Sequence, residues 1–196
     1  MTAAKLTRDD LLPLERYAAE RAAWRARLIP HKKTRSVRLG EHITLLFEDR
    51  LTIQYQVQEM LRAERIFEAE GIEDELGAYN PLIPDGGNWK ATMLIEYPDV
   101  AQRQRMLAQL KGIETRVWVQ AGEGPRCHAI ADEDLERENE EKTSAVHFLR
   151  FELDAALRAA LQAGAPLNMG VDHVNYSASV TVPEATRAAL FADLAA

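Results

Sequence analysis

The sequence predicts an α+β fold in which an N-terminal helix and a long central helix pack with a mostly antiparallel sheet. Three observations support this prediction. Apolar residues recur at helical spacing in segments 10–28 and 49–71. After residue 90, short segments with strand-like alternation are interleaved with short helical segments. The order strand–helix–strand–strand occurs twice there, and two such units would pair into one antiparallel sheet with helices on one face.

The first helix follows a capping pattern made by Thr7 and Asp10, which precede its apolar positions. We expect this helix to end before Pro30, because proline lacks the backbone donor that a helix interior needs. A basic loop follows, and segment 42–48 alternates like a strand. The start of the chain is therefore predicted to be helical, with one strand after the helix.

Segment 49–71 is predicted to be one long helix closed by Gly71, since glycine is common just after a helix end. Its apolar residues form two stripes, one of which includes Glu64 and the other Arg62. A helix with two apolar faces is buried on two sides, so we expect it under the sheet or between layers. Segment 77–88 contains two prolines and three glycines, which indicates a structured loop or a boundary.

The C-terminal half carries the repeated pattern. The first unit runs strand, helix, strand, strand over 90–97, 98–112, 115–121 and 126–131. The second unit has the same order over 144–153, 154–164, 167–171 and 176–182. A last helix opens with Pro183 at its first position. We interpret the two units as a structural pseudo-repeat. The chain thus divides into a helical part with one strand and a basic loop (1–89) and a sheet part (90–196), packed as one compact domain.

Composition bounds the class of protein. The chain has 196 residues, of which 46% are hydrophobic, so it can bury a core without the disulfides or metal ions that small domains need. No apolar run approaches the roughly 18 residues of a membrane span, and the start of the chain lacks an apolar signal core. We therefore expect a cytoplasmic protein. A single cysteine, Cys127, excludes an internal disulfide framework, a multi-cysteine zinc site and a self-contained iron–sulfur cluster.

Charge is unevenly distributed along the chain, whose net charge is −7. Residues 1–40 carry a balance of +6, and segment 25–38 holds six basic residues and no acid. Segment 132–141 holds seven acids. Both runs can be solvated surface, or they can pair with each other. The alternative is that the basic run binds an anion such as a phosphate, or an acidic partner. The residues assigned to that surface are Lys32, Lys33, Arg35 and Arg38.

Several familiar classes of protein are excluded by missing motifs. The sequence has no phosphate-binding glycine loop, no GxGxxG after a strand, no HExxH and no GxSxG. Aromatic residues are sparse near the basic run, where Trp24 stands alone. Together with the overall acidity, this argues against a dedicated nucleic-acid binder.

Histidines and carboxylates offer a candidate metal site. Histidine is the commonest metal ligand in proteins, and a mixed histidine–carboxylate set suits iron or zinc. The candidate ligands are His128, His147, His173, Asp172 and Glu64, with Glu96 as a further carboxylate. The alternative for each histidine is a hydrogen bond in the core or at its rim. His147 shares the apolar face of its predicted strand, whereas Asp172 and His173 lie in a predicted turn.

A carboxylate within an apolar stripe costs several kcal/mol unless it is paired, protonated or metal-bound. We expect Glu59 and Glu64 to form ion pairs with Arg62, Arg65 or an arginine of the basic loop. A second arrangement is one polar cluster that holds an anionic ligand or ties the layers together. Its members would be Arg35, Arg38, Gln56 and Glu59.

Three long segments resemble a bacterial family. They are LLFEDRLTIQYQVQEMLRAERI, YNPLIPDGGNWKATMLIEY and GVDHVNY. With these segments the chain resembles domain-of-unknown-function family 3501 over nearly its whole length. In that family the genes often lie beside rubrerythrin and a heterodisulfide-reductase-like iron–sulfur protein. The resemblance therefore implies, by association, a role near peroxide defence or iron redox chemistry, and it implies no catalytic residue.

Three functions follow as expectations. The first is a cytosolic accessory protein that binds a redox partner of the rubrerythrin or iron–sulfur type through its charge-segregated surface. The second is a metal-dependent enzyme for a small molecule, with His128, His147 or His173 at its site. The third is an anion-binding module at the basic run. The sequence leaves open whether the protein is an enzyme, whether it forms a homo-oligomer and which ligand it takes.

Overall fold

The computed structural model describes residues 4–133, 137, 139 and 141–194. The helices are α1 (Leu14–Lys33), α2 (Arg50–Glu64), α3 (Ala69–Tyr79), α4 (Val100–Gln109), α5 (Ala155–Gln162) and α6 (Glu184–Phe191). The strands are β1 (Ser36–Leu39), β2 (Ile43–Phe47), β3 (Asn88–Ile95), β4 (Val117–Ala121), β5 (Cys127–His128), β6 (Ile130–Ala131), β7 (Val146–Glu152), β8 (Leu167–His173) and β9 (Tyr176–Thr181). The class is α+β, as predicted.

The strands form two antiparallel sheets, where the sequence suggested one. The first has the order β1-β2-β3-β7-β6 and the second the order β5-β4-β8-β9. Residues 127–131 pass from one sheet to the other, since β5 pairs with β4 and β6 pairs with β7. The inward side chains of both sheets form one hydrophobic core. Two facing sheets bury one face of each against the other, which a single flat sheet cannot do.

The pseudo-repeat is visible in the pairing of the strands. The units β3-α4-β4-β5 and β7-α5-β8-β9 have the same element order. Their first strands pair with each other in the first sheet, and their second strands pair with each other in the second. Each unit therefore contributes corresponding strands to both sheets. The strands β1 and β2 join the first sheet beside β3, and the division of the chain at residue 89 stays a prediction.

Helix α1 runs past its predicted end and includes Pro30 near its C-terminus. A proline near the end of a helix removes only one hydrogen bond, and the backbone N–H of Thr34 still bonds to the carbonyl of Pro30. The chain then turns directly into β1, a strand that the sequence pattern did not indicate.

The predicted long helix is two helices. Asp49 begins α2 by accepting a hydrogen bond from the backbone N–H of Thr52 at 2.9 Å. Arg65 ends it with a left-handed backbone (φ 57°), and its N–H bonds to the carbonyl of Leu61. Gly71, which was predicted to end the long helix, lies inside α3 and ends no helix. In the part of the chain that the structure covers, no helix combines the length and the apolar character that a membrane crossing requires.

Candidate functional site

His147 occupies the core side of β7 and is fully buried. Its Nδ1 lies 2.6 Å from a carboxylate oxygen of Asp132, and its Nε2 lies 3.0 Å from the hydroxyl of Thr143. The other oxygen of Asp132 accepts the backbone N–H of Phe148 at 3.0 Å. Both ring nitrogens are thus satisfied by the protein, so His147 is a core histidine that ties the segment before β7 to the sheet.

Asp172 and His173 lie on opposite sides of β8. Asp172 accepts a hydrogen bond from the indole of Trp118 and forms an ion pair with Arg126. His173 lies 3.0 Å from the carbonyl of Lys111 through its Nε2. Because their side chains point to opposite faces of the strand, the two residues do not converge on one ligand.

The predicted metal ligands are not brought together. His147 points into the core from the first sheet, while His128 is exposed on β5 of the second sheet and Glu64 is exposed at the end of α2. Within the described ranges, no three side chains of histidine, cysteine, aspartate or glutamate are grouped as a metal ion requires. Strand alternation places histidines on a face but does not say which faces meet, so the spacing alone could not show that these residues lie apart.

The predicted anion surface is also divided. Arg35 is buried, forms an ion pair with Asp193 and donates to the carbonyl of Phe47 at 3.0 Å. Lys33 and Arg38 are exposed, whereas Lys32 is half-buried. Arg35 therefore belongs to an internal cluster and not to a binding surface. Residues 134–136, 138 and 140 of the acidic run lie outside the described residues.

Glu59 is paired, as expected, but with an arginine of α1. Arg21 donates to both of its oxygens at 2.7 Å, and the hydroxyl of Tyr17 donates to one of them at 2.7 Å. The arginine chiefly holds the pKa of Glu59 down, to about 2. The cluster of Glu59 with Arg35 proposed from the sequence is wrong, since these residues bind different partners.

A cavity of about 340 Å³ lies on the outer face of the first sheet, between the sheet and the pair α2 and α3. We call it the Lys90 cavity. Its lining residues are Met60, Glu75, Ala78, Tyr79, Pro81, Leu82, Lys90, Glu133, Phe148, Leu149 and Arg150. Its volume and mostly apolar lining are typical of small-molecule sites.

Strand alternation places Lys90 in this cavity. Its neighbours Trp89 and Ala91 are buried in the core, so the side chain of Lys90 points to the opposite face. The two helices cover that face, and burial lowers the pKa of the Lys90 ammonium. The Nζ donates to the carbonyl of Pro81. In the described residues, no carboxylate lies within salt-bridge distance of it.

Two other charges of the cavity cancel. Arg150 lies directly opposite Lys90 on β7 and donates to both oxygens of Glu133 at 2.7 and 2.8 Å. It also pairs with Glu152, outside the cavity. The arginine holds the pKa of Glu133 below its usual value. Arg150 is thus held by two carboxylates, whereas Lys90 forms no ion pair with a described residue.

Glu75 of α3 supplies the remaining carboxyl group. Its Oε2 is buried and has no hydrogen-bond partner in the described structure. Burial raises the pKa of Glu75, and the neighbouring carboxylates of Glu64 and Asp74 raise it further. Protonation of Glu75 is therefore easier than that of a free carboxylate, and a protonated carboxyl group can donate a hydrogen bond.

Neither Lys90 nor Glu75 stands out in the sequence pattern. A lysine on the polar side of an alternating strand is an ordinary solvent-facing residue by pattern alone. The apolar residues of α2 and α3 are the available signal, because they indicate that these helices pack against another layer of the protein. It does not indicate which charges are covered.

Comparison with known proteins gives one family and no activity. The family model described as a protein of unknown function (DUF3501) matches residues 5–194. A crystal structure of a protein of unknown function from Burkholderia pseudomallei K96243 shares 53% sequence identity with a TM-score of 0.93. The match covers 98% of this chain and 100% of that one. No curated protein matches the chain.

Proposed function

Because the chain belongs to the DUF3501 family, as its segments indicated, and that family has no assigned activity, we propose a function from the Lys90 cavity. The protein binds a small, mostly apolar carboxylic acid. The observation that carries this proposal is the ammonium of Lys90, which lies in an apolar cavity without a carboxylate partner among the described residues. A charge that is partly removed from water and has no carboxylate partner favours a ligand that supplies one.

The ligand's apolar body would pack against the aliphatic and aromatic lining, including Met60, Leu82 and Phe148. Its carboxylate would accept the N–H donors of Lys90 that the carbonyl of Pro81 does not use, since an ammonium has three. Glu75 lines the same cavity and is a second polar group that the ligand can meet there. Hydrophobic contact supplies most of the affinity in such a site, and the few polar groups fix the orientation.

Binding of 3-phenylpropionate tests this proposal. A ligand that binds only the folded state raises its stability, by about 2.7 kcal/mol at a concentration of 100 times Kd. We expect the wild type and Lys33→Met, an exposed control on α1, to show the same rise in Tm. Lys90→Met should lose it, and Ala78→Trp should lose it by filling the cavity. Equal binding by Lys90→Met, or no rise with a panel of aromatic and aliphatic acids, would overturn the proposal.

The role beside an iron or peroxide redox system stays a separate proposal. What supports it is the family resemblance, together with exposed basic residues such as Lys33 and Arg38. Its test is capture of a purified rubrerythrin-type or iron–sulfur partner by the protein on a resin. Reversal of Lys33 and Arg38 to glutamate should weaken the capture if the basic surface makes the contact. Capture at an unchanged level would reject that surface.

A further inference from the structure

We propose that Lys90 forms an imine with acids that carry a carbonyl group next to the carboxylate, so that the ligand class of the cavity is the 2-oxo acids. This inference rests on the proposed function, since it needs a carboxylic acid to enter the cavity. It goes beyond binding because it assigns covalent chemistry to a named nitrogen atom.

The position of Lys90 meets the first requirement, which is an amine held where a ligand can reach it. The side chain projects from a central strand of a five-stranded sheet, so its base is rigid. Its Nζ makes one hydrogen bond, to a backbone carbonyl, and no ion pair with a described residue. The entering carboxylate meets the ammonium form of Lys90, and attack requires the neutral amine that forms when the ammonium loses a proton, which an apolar, covered site favours. Burial acts in that direction on the pKa of Lys90.

Glu75 meets the second requirement, which is a proton donor at the carbonyl oxygen. It lines the same cavity, and one of its oxygens is buried without a partner in the described structure. A protonated carboxyl group at this place can donate to the oxygen that becomes negative when the amine adds. The cavity thus combines a nucleophile and an acid, as amine catalysis requires.

The reaction balances without an oxidant or a reductant. The lone pair of the Lys90 amine attacks the carbonyl carbon, and a C–N bond forms while the C=O π bond breaks. The oxygen takes a proton from Glu75, and the nitrogen then gives a proton to the resulting Glu75 carboxylate, which leaves a neutral carbinolamine and restores the acid. Glu75 then gives its proton to that hydroxyl, which leaves as water while the nitrogen lone pair forms the C=N bond, and the proton on nitrogen returns to Glu75. One amine and one carbonyl compound therefore give one imine and one water.

The test combines phenylpyruvate, which carries a ketone, with sodium cyanoborohydride, which reduces an imine to a stable amine. We expect the intact protein to gain the mass of the probe less one oxygen atom, and peptide mapping to place this mass on Lys90. Lys90→Arg, which keeps the charge, should gain nothing. The control Lys33→Arg should react like the wild type. Glu75→Gln should slow the trapping by at least about tenfold, and its neighbour Glu73→Gln, exposed on α3, should not.

The outcomes separate this inference from the proposed function. If 3-phenylpropionate binds but phenylpyruvate is not trapped, the protein is a carboxylate binder and the imine is rejected. Trapping spread over exposed lysines such as Lys33, at equal rates, also rejects it. If 3-phenylpropionate does not bind and trapping is still specific to Lys90, the carboxylate part of the proposed function is wrong and the nucleophile stands. If neither probe acts at Lys90, both proposals fail.

Discussion

Arg35 and Asp193 lie 158 positions apart in the sequence and form an ion pair at which the side chain of Arg35 is only 3% exposed. The pair joins the start of β1 to the residues that follow α6. Arg35 also donates to the carbonyls of Phe47 and Glu48. One buried guanidinium therefore fastens the last helix of the chain to the first sheet.

Removal of the carboxylate should destabilise the protein. Asp193→Ala would leave Arg35 with Asp49, 3.5 Å away, as its remaining acidic neighbour among the described residues. Breaking a buried pair from one side typically costs about 3–5 kcal/mol. We expect a loss at the lower end of this range in urea denaturation. Glu20→Gln, which breaks an exposed pair with Arg16, should leave the transition unchanged. A loss no larger than that control's would show that Asp193 is not needed to compensate Arg35.

The Glu59 pair should produce acid sensitivity. Its pKa is about 2 in the folded protein, against an ordinary value of 4.5. A lowered pKa means that the unfolded chain binds the proton first as pH falls, so this contribution to stability is present above pH 4.5 and is lost between there and pH 2. Glu59→Gln should be less stable at pH 7 and should show a shallower fall in stability over that window. Measuring the free energy of unfolding at several pH values checks this, and parallel curves would contradict it.

Gly170 should tolerate no side chain. A Cβ at this position would lie 2.3 Å from Cζ2 of Trp118 and 2.9 Å from the carbonyl of Ala178. We expect Gly170→Ala to cost about 1–3 kcal/mol and to alter the fluorescence of Trp118, whose ring also stacks under Arg126 at 4.0 Å. Gly77→Ala is the control, because a Cβ there meets nothing within 4 Å. That change, in the interior of α3, should stabilise the protein by about 0.5–1 kcal/mol.

His147 should act on stability and not through a metal. His147→Leu removes the partner of a carboxylate oxygen of Asp132 and of the hydroxyl of Thr143. Leaving such a buried group unpaired typically costs about 1–3 kcal/mol. His128→Leu, at an exposed position, should leave Tm unchanged. Chemical denaturation of the two variants measures the difference.

A chelator provides the complementary measurement. If His147 has only a structural role, a strong chelator should change the Tm of the wild type and of His147→Leu by the same amount. Added Zn²⁺, tested separately, should also change both Tm values equally. A fall in the Tm of the wild type alone would restore this histidine as a metal ligand. Metal analysis of the purified protein before any chelator is added would then identify the ion.

Local patterns predicted much of the chain, and the failures have physical causes. The strand at 42–48 and both halves of the pseudo-repeat are confirmed because alternation and helical spacing report which faces are buried. The break at Arg65 was missed because an arginine rarely adopts a left-handed backbone, so nothing in its type marks a helix end. The strand Ser36–Leu39 was missed because it is short and its segment is dominated by basic residues.

The sequence by itself determined the α+β class, the order of most elements, the repeated unit and the family. Each of these depends on neighbours along the chain, where spacing is set by the backbone. Only the tertiary structure decided that the strands form two facing sheets, that Arg35 meets Asp193, and that the helices α2 and α3 cover Lys90. Those contacts join residues that are far apart in sequence, and burial or exposure of a charge depends on what is packed over it. Lys90 therefore lines a cavity although its position in the strand pattern is ordinary, whereas His147, a candidate metal ligand by its residue type, is hydrogen-bonded within the core.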